Sequence, residues 1–327
     1  MKSAPDSITL ERTQYHAEML ANRVRKRFRH LSKRFKREGI DCFRLYDWDI
    51  KEVRAVVDWY AGHLVVGEYI RWQTGPDWLL HMAKAVGDAL NIPLARVHVR
   101  RRQTRPEQGP RYRKMGSKGE RLEVRERGLR FWVNLDDYLD TGLFSDHRDT
   151  RVIVGRHAPG KDFLNLFAYT GAFTCAAAAG GAKSTVTVDR SQTYLRWAQD
   201  NLKLNALAGP QHALIQSDAG KYLERAARQG QRFTLAFVDP PSFYQDKSGG
   251  ASFDINRDHP ALIMKVLKVM RPGADVFFST NHQYFQPRLE NLPMTELSEL
   301  TPQTIPEDYG NRRVHRCWRM TARGENC

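Results

Sequence analysis

Four short segments, met in chain order, carry the chemistry of this 327-residue sequence. The last is the most specific: the apolar run Phe233–Val238 ends in Asp239-Pro240-Pro241-Ser242-Phe243. Two adjacent prolines fix two φ angles and remove two N–H donors, so the loop is stiff and offers acceptors. A stiff acceptor loop followed by an aromatic ring suits a flat heterocycle, held by hydrogen bonding and stacking. Asp239, Pro240 and Phe243 are therefore the candidate catalytic residues. Upstream, Val186-Thr187-Val188 ends in Asp189. An acid about 20 residues beyond a glycine turn is placed to grip a ribose diol, because one carboxylate accepts from both hydroxyls. Asp189 could instead cap the helix opening near Ser191. Ser217-Asp218-Ala219 offers a carboxylate able to accept from the exocyclic amine of adenine. The first segment, Asn165-Leu166-Phe167-Ala168-Tyr169-Thr170-Gly171-Ala172-Phe173, reads as a tight turn opening a helix, with Gly171 letting backbone approach a ligand.

These segments need a frame. From about Asp140 onward strands alternate with helices, the pattern of a mostly parallel, doubly wound sheet. Strands are predicted at Phe163–Ala168, Ser184–Val188, His212–Gln216, Phe233–Val238 and Asp275–Thr280, with two more near Leu297 and at Arg313–Met320. Helices are predicted at Phe173–Ala179, Ser191–Asn205, Ala219–Gln229 and His259–Met270, the last stopped by Arg271-Pro272-Gly273. Such sheets bind ligands beyond the carboxyl ends of their strands, which is where the four segments fall. A dinucleotide-dependent dehydrogenase would carry G-x-G-x-x-G at the first turn, and Tyr169 to Thr174 lacks it.

The amino-terminal part has another character. Lys and Arg number 52 against 37 Asp and Glu, a net +15 that points to a polyanionic partner. An amphipathic helix is predicted from Gln14 to Glu38, closed by Gly39, with Leu20, Val24, Phe28, Leu31 and Phe35 on one stripe. Its other face carries Arg23, Arg25, Lys26, Arg27, Arg29, Lys33, Arg34, Lys36 and Arg37, with no acid before Glu38. Solvated faces normally mix signs, so phosphate contact is the expectation, with Arg23, Arg25, Lys26, Arg29, Lys33 and Arg34 as its candidates.

A smaller α/β region follows, Asp41 to Leu135. Strands are predicted at Ala55–Tyr60, His63–Ile70 and Arg96–Arg101, a helix at Pro76–Leu90, and a hairpin from Leu122 to Val133 about Gly128. Between them runs a basic stretch from Arg100 to Lys118 in which Tyr112 sits among arginines. Basic residues with an interleaved aromatic suit RNA, so Arg101, Arg102 and Tyr112 join the RNA-binding candidates. The expected organisation is thus residues 1–40 as a basic helix, 41–135 as a small RNA-recognition domain and 136–327 as the catalytic domain.

No apolar run approaches the ~20 residues that cross a bilayer, and Met1–Glu11 lacks a signal-peptide core, which makes the cytoplasm the expected compartment. Cys42, Cys175, Cys317 and Cys327 are scattered without CxxC spacing, and neither a disulfide framework nor a metal site is expected.

With those motifs in hand, the sequence resembles the class I methyltransferases of the RlmI/RlmK group, and within it the RlmK members, the carboxy-terminal half of bifunctional RlmKL enzymes. The resemblance spans nearly the whole chain. It is carried by Arg44-Leu45-Tyr46-Asp47, by Asp140-Thr141-Gly142-Leu143-Phe144-Ser145-Asp146-His147-Arg148, and by Asp162-Phe163-Leu164-Asn165-Leu166-Phe167. Asp239-Pro240-Pro241-Ser242-Phe243, Asn311-Arg312 and His315-Arg316-Cys317-Trp318 complete it. The resemblance implies a Rossmann-like fold with a seven-stranded sheet, S-adenosylmethionine as cofactor, and methylation of guanine N7 in 23S ribosomal RNA or a large-subunit precursor. It also implies that Phe144, Asp146 and Arg148 help enclose the cofactor, and that Asn165, Tyr169, Thr170 and Gly171 lie along its methionine part. Asp189 then matches the ribose position, Asp218 the adenine position and Asp239 the floor of the base pocket. The RlmKL enzymes carry an additional THUMP-containing half with a second activity; its lack here predicts one activity, with docking help from the basic helix.

The target atom is narrowed by chemistry. Methylating C5 of a pyrimidine requires a cysteine nucleophile, since that carbon has no lone pair. The positions after the Pro-Pro turn and at the end of the fifth strand hold Ser242 and Ser279-Thr280 instead. Guanine N7 has an in-plane lone pair and no proton to lose, and a nearby carboxylate offsets the charge its product acquires. Exocyclic amines of guanine or adenine also fit the loop, and only the resemblance favours N7. A non-catalytic RNA-binding or ribosome-assembly factor is the alternative of another class.

Overall fold

The computed structural model describes residues 10–70, 77–103, 116, 118–245 and 252–323. The chain forms two compact units, Met1–Ser145 with Glu307–Asn311, and Asp146–Pro306 with Arg312–Cys327.

The first unit opens with α1 (Leu10–Arg37), followed by β1 (Cys42–Asp47), β2 (Ala55–Tyr60), β3 (His63–Ile70), α2 (Trp78–Leu90) and β4 (Val97–Gln103). The hairpin β5 (Leu122–Glu126) and β6 (Leu129–Val133) completes it. Leu20, Val24, Leu31 and Phe35 of α1 are buried against the sheet β1-β2-β3-β4 and α2, as the stripe predicts. Phe28 is partly buried against Trp59. The helix ends in a Schellman turn: Ile40 N–H donates to Phe35 O (2.8 Å) and Gly39 N–H to Lys36 O (3.2 Å), with Gly39 at φ +67. β1 has no counterpart in the sequence reading. A register shift between Arg44 and Tyr46 buries the adjacent Leu45 and Tyr46, which breaks the alternation by which a strand is recognised. The segment Glu307–Asn311 is anchored on β1: Arg44 N–H donates to Asp308 Oδ2 and Asn311 N–H to Asp47 Oδ2.

The second unit carries α3 (Arg148–His157), β7 (Asp162–Leu166), α4 (Ala172–Ala179), β8 (Ser184–Asp189), α5 (Gln192–Leu204), β9 (His212–Gln216), α6 (Ala219–Arg228) and β10 (Phe233–Val238). β11 (Phe243–Tyr244), β12 (Phe253–Asp254), α7 (Ile255–Leu267), β13 (Met270–Thr280), β14 (Met294–Glu299), α8 (Thr301–Thr304) and β15 (Arg316–Ala322) follow. Seven strands form one sheet in the order β14-β15-β13-β10-β7-β8-β9. β13, β10, β7, β8 and β9 run parallel, and β15 runs antiparallel to both its neighbours. This is the expected Rossmann-like sheet.

Arg271-Pro272-Gly273 does not stop a helix: α7 already ends at Leu267, and the tripeptide lies within β13. It fills the register jump between the pairs Phe233–Met270 and Leu235–Asp275, with Gly273 at φ +74. Helix α3 escapes periodicity because three of the residues it buries, Arg148, Thr150 and Arg151, are polar.

Candidate active site

The order of the sheet reverses at β7: the chain winds outward through β8 and β9, then returns to place β10 on the other side. The carboxyl ends of β7 and β10 therefore flank the crevice where such sheets bind ligands. After β7 the turn holds Phe167 at φ 57, Tyr169 at φ 50 and Gly171 at φ 72. Two non-glycine residues in the left-handed region cost about 1–3 kcal/mol each, strain that concentrates where a loop must meet a ligand. Gly171 has a second reason to be glycine, one the sequence conceals: a Cβ there would lie 2.7 Å from Ala198 Cβ on α5. Its smallness serves helix packing in addition to the ligand approach expected from the sequence.

Asp189, at the end of β8, is tied to this turn. Its Oδ2 accepts from Tyr169 N–H (2.9 Å) and its Oδ1 from Ser191 N–H (2.8 Å). Burial pushes its carboxyl above the usual range, and those N–H bonds oppose the shift. Arg190 N–H also donates to the same carboxylate, which with about four lone-pair sites keeps room for a further donor such as a ribose hydroxyl. The cap of α5 is Ser191, whose hydroxyl accepts from Tyr194 N–H, which leaves Asp189 out of that structural role. Asp218 behaves differently. Its Oδ1 caps α6 through Lys221 N–H (3.1 Å), while Tyr244 donates its hydroxyl to Oδ2 (3.3 Å). The Arg190 guanidinium lies 5.0 Å over the Tyr244 ring. Arg190 and Tyr244 thus join the two acids. Neither stood out in the sequence, because only the β11–β12 pairing brings Tyr244 back to α6.

Asn165 and Thr170 are buried. Asn165 Nδ2 donates to Thr174, which meets Thr187, locking β7, α4 and β8 together. Thr170 O accepts from Asn201 Nδ2. The Tyr169 ring packs edge-on against Tyr194.

At the end of β10, Pro240 is buried while Phe243 is 49% exposed. Ser242 Oγ donates to Asn281 Oδ1 (3.0 Å), and Ser242 O accepts from Ile255 N–H (3.0 Å), fastening the loop to β13 and α7. Asp239 faces His147, Nε2 to Oδ2 3.6 Å. The His147 ring stacks on His315 at 4.1 Å and 16°, and His315 Nδ1 is 2.9 Å from Asp146 Oδ2. Burial alone would lower the His147 imidazole, but the Asp146 and Asp239 carboxylates outweigh it and hold it above its ordinary range. His315 is lowered by burial and by His147. Both histidines lie in motif segments of the sequence, but nothing local predicts their stacking.

Asp146, His147 and His315 offer ligand atoms within 4.8 Å of one another. Parallel rings 4.1 Å apart cannot both aim in-plane lone pairs at one ion, and His315 Nε2 already meets Thr304. The geometry is that of two stacked imidazoles with separate hydrogen-bond partners, Thr150 for His147 and Asp146 and Thr304 for His315. Arg148 is buried at the start of α3, while Phe144 belongs to the first unit and is partly exposed there.

The fold also brings a thiol into the neighbourhood. Cys317 pairs with Ser279 in the β13–β15 ladder. It is fully buried, and burial, with Asp239 and Glu299 adding to it, pushes its thiol up. A protonated, inaccessible thiol cannot add to a pyrimidine.

In the first unit, Arg23 pairs with Asp49 (2.6 Å), Arg25 donates to Asn22, and Arg34 pairs with Glu307 and Glu38. Lys26, Arg29 and Lys33 are exposed and form no ion pair among the described residues. Arg101 lies 4.0 Å from the buried Glu68. The Arg102 side chain and Tyr112 fall outside the described residues.

A family model described as S-adenosylmethionine-dependent methyltransferase matches residues 46–295. Among solved structures, a protein described as a SAM-dependent methyltransferase from Streptococcus mutans superposes with a TM-score of 0.72 at 20% identity, over 95% of this chain and 81% of that one. A structure described as a methyltransferase complexed with SAH gives 0.71 at 21%, over 92% and 82%. The structure of aTrm5 with tRNALeu gives 0.52 at 15%, over 90% and 76%. At these identities the structural likenesses establish the shared fold.

Proposed function

The chain belongs to the S-adenosylmethionine-dependent methyltransferases and uses that cofactor, and on this premise we propose that it methylates guanine N7 in 23S ribosomal RNA, as an RlmK-type enzyme of the cytoplasm. The observation that carries the choice of a nitrogen target is the Asp239–Phe243 loop: a carboxylate and a half-exposed ring belong to one short loop, with no accessible thiol beside them among the described residues.

The cofactor supplies a methyl group made electrophilic by its sulfonium. Asp189 accepts from the ribose through the accepting capacity that its main-chain N–H bonds leave open. Asp218, Arg190 and Tyr244 bound the adenine, and Asn165, Tyr169, Thr170 and Gly171 line the methionine part. Asp146 and Arg148 help enclose it. Phe243 stacks on the target base and Asp239 faces its edge, offsetting the charge that N7 acquires; Pro240 keeps the loop stiff. Most of the rate comes from aligning the nucleophile with the C–S bond. The target base is extruded or single-stranded, since A-form duplex hides N7 in a deep, narrow groove. The first unit docks the RNA, through Arg25, Lys26, Arg29 and Lys33 on the exposed side of α1. Arg23, Arg34 and Arg101 are further RNA-binding candidates, as are Arg102 and Tyr112, whose side chains lie outside the described residues.

N7-methylguanosine carries a fixed positive charge that weakens its imidazole ring, so borohydride followed by aniline cuts the chain at that nucleotide. Ribosomal RNA treated with the enzyme and cofactor is expected to gain one such cut, at a guanine. Robust methyl transfer without a cut, with a methylated exocyclic amine on digestion, would remove N7 and leave the amine reading.

A further inference from the structure

Asp239 is followed by two prolines, and this has a structural price for its carboxylate. An aspartate in a loop is ordinarily held by main-chain N–H groups just downstream. Residues 240 and 241 have none to give. Some other group must fix the side chain. Among the described residues, the charged group that meets Asp239 is the His147 imidazole, Nε2 to Oδ2 3.6 Å.

That imidazole is itself tightly held. One face stacks on His315 at 4.1 Å. Phe173 and Phe237 meet it edge-on, at 5.6 and 5.9 Å between centroids. Its Nδ1 lies 3.3 Å from Thr150 Oγ1. Two stacked imidazoles do not both carry a charge, and their surroundings are unequal. His147 has two carboxylates within 4 Å, Asp239 and Asp146. His315 has Asp146 alone, and its other nitrogen meets the neutral Thr304 hydroxyl. A single positive charge on the pair therefore resides on His147, whose two carboxylates outweigh the nearby Arg151 guanidinium.

We propose that His147 is the positioning residue for Asp239: a clamped imidazolium holds in place the carboxylate that the Asp-Pro-Pro loop leaves without a main-chain donor. This rests on the placement of Asp239 against the target base. His147 touches neither base nor cofactor in this role; it acts through Asp239.

The test is a double-mutant cycle with the full chain, using labelled S-adenosylmethionine, ribosomal RNA as methyl acceptor, SAH calorimetry and thermal melts. His147→Ala is expected to lower kcat about tenfold or more while KM for RNA and the SAH affinity stay within about twofold, the pattern of a group that acts only at the reacting centre. His147→Gln, which keeps an N–H donor and guards against a fold lost with the smaller side chain, should recover part of that loss. Added to Asp239→Asn, His147→Ala should cost less than about a further twofold, since the two act as one unit. Multiplicative losses, or a kcat that falls only in step with SAH affinity in both His147 variants, overturn the inference while Asp239 keeps its place. Full turnover by Asp239→Asn alone removes Asp239 from the reaction, and the role of His147 with it.

Discussion

The Tyr169 main-chain N–H donates to Asp189 Oδ2 at 2.9 Å, so the turn after β7 and the acid ending β8 form one hydrogen-bonded unit. A carboxylate fixed in this way enters cofactor binding already oriented. With Asp189 at the proposed ribose position, replacing it removes charge-assisted bonds to the cofactor and frees the turn. Asp189→Ala is expected to lose about 1.5–3 kcal/mol of SAH binding, the usual worth of a hydrogen bond to a charged group. Calorimetry that finds undiminished affinity would take Asp189 off the ribose.

The cations of α1 divide into two kinds. Arg27 Nη2 donates to Asp308 O and Arg34 pairs with Glu307, so both hold the 307–311 segment. Arg29 and Lys33 are exposed, form no ion pair among the described residues, and lie on the side away from the buried stripe; Arg25, also exposed, lies beside them. Reversing Arg25, Arg29 and Lys33 to Glu should weaken RNA binding and leave SAH affinity unchanged. Each RNA phosphate no longer neutralised should flatten the slope of log affinity against log salt by roughly 0.7–0.9. An unaltered slope would make that face a solvated surface.

Gly171 faces two separate constraints, φ +72 and the approach of Ala198. Gly171→Ala is expected to destabilise the protein by about 1–3 kcal/mol through crowding, with the left-handed backbone adding to it. Adding Ala198→Gly should restore only part of the loss, because it relieves the contact and leaves the backbone strained. Complete recovery in a denaturant melt would show that packing alone demands the glycine.

His259 supplies a pH dependence. Its Nδ1 donates to Ile255 O (2.7 Å) and its Nε2 accepts from Arg288 N–H (3.0 Å), which requires the neutral ring, and burial lowers its pKa. The unfolded chain takes up this proton first, near pH 6.5, so the contribution is fully present above that value. It is lost as the pH falls from there toward the depressed native value. The loss of stability between pH 7.5 and about 5.5 should shrink in His259→Asn, which cannot gain the charge. A variant with the wild-type pH slope would assign that loss to other groups.

What the sequence determined by itself is the part of the protein written in local patterns. The stripe Leu20–Val24–Leu31–Phe35 specified α1 and its buried side, because a helix repeats every 3.6 residues whatever it packs on. Apolar runs such as Phe233–Val238, punctuated by glycine, proline and acids, specified the parallel strands and put Asp189 and Asp239 at their ends. Local rules failed where burial was polar or register irregular, as in α3, β1 and the bulge in β13. The tertiary structure alone decided relations between residues far apart in the chain. It stacked His147 on His315 across 168 positions, set Cys317 beside Ser279, and returned Tyr244 to Asp218. It also gave Gly171 its neighbour Ala198 and gave Arg34 its partner Glu307. Such contacts follow from strand order and from the route of the chain between strands, and no spacing within one segment encodes them.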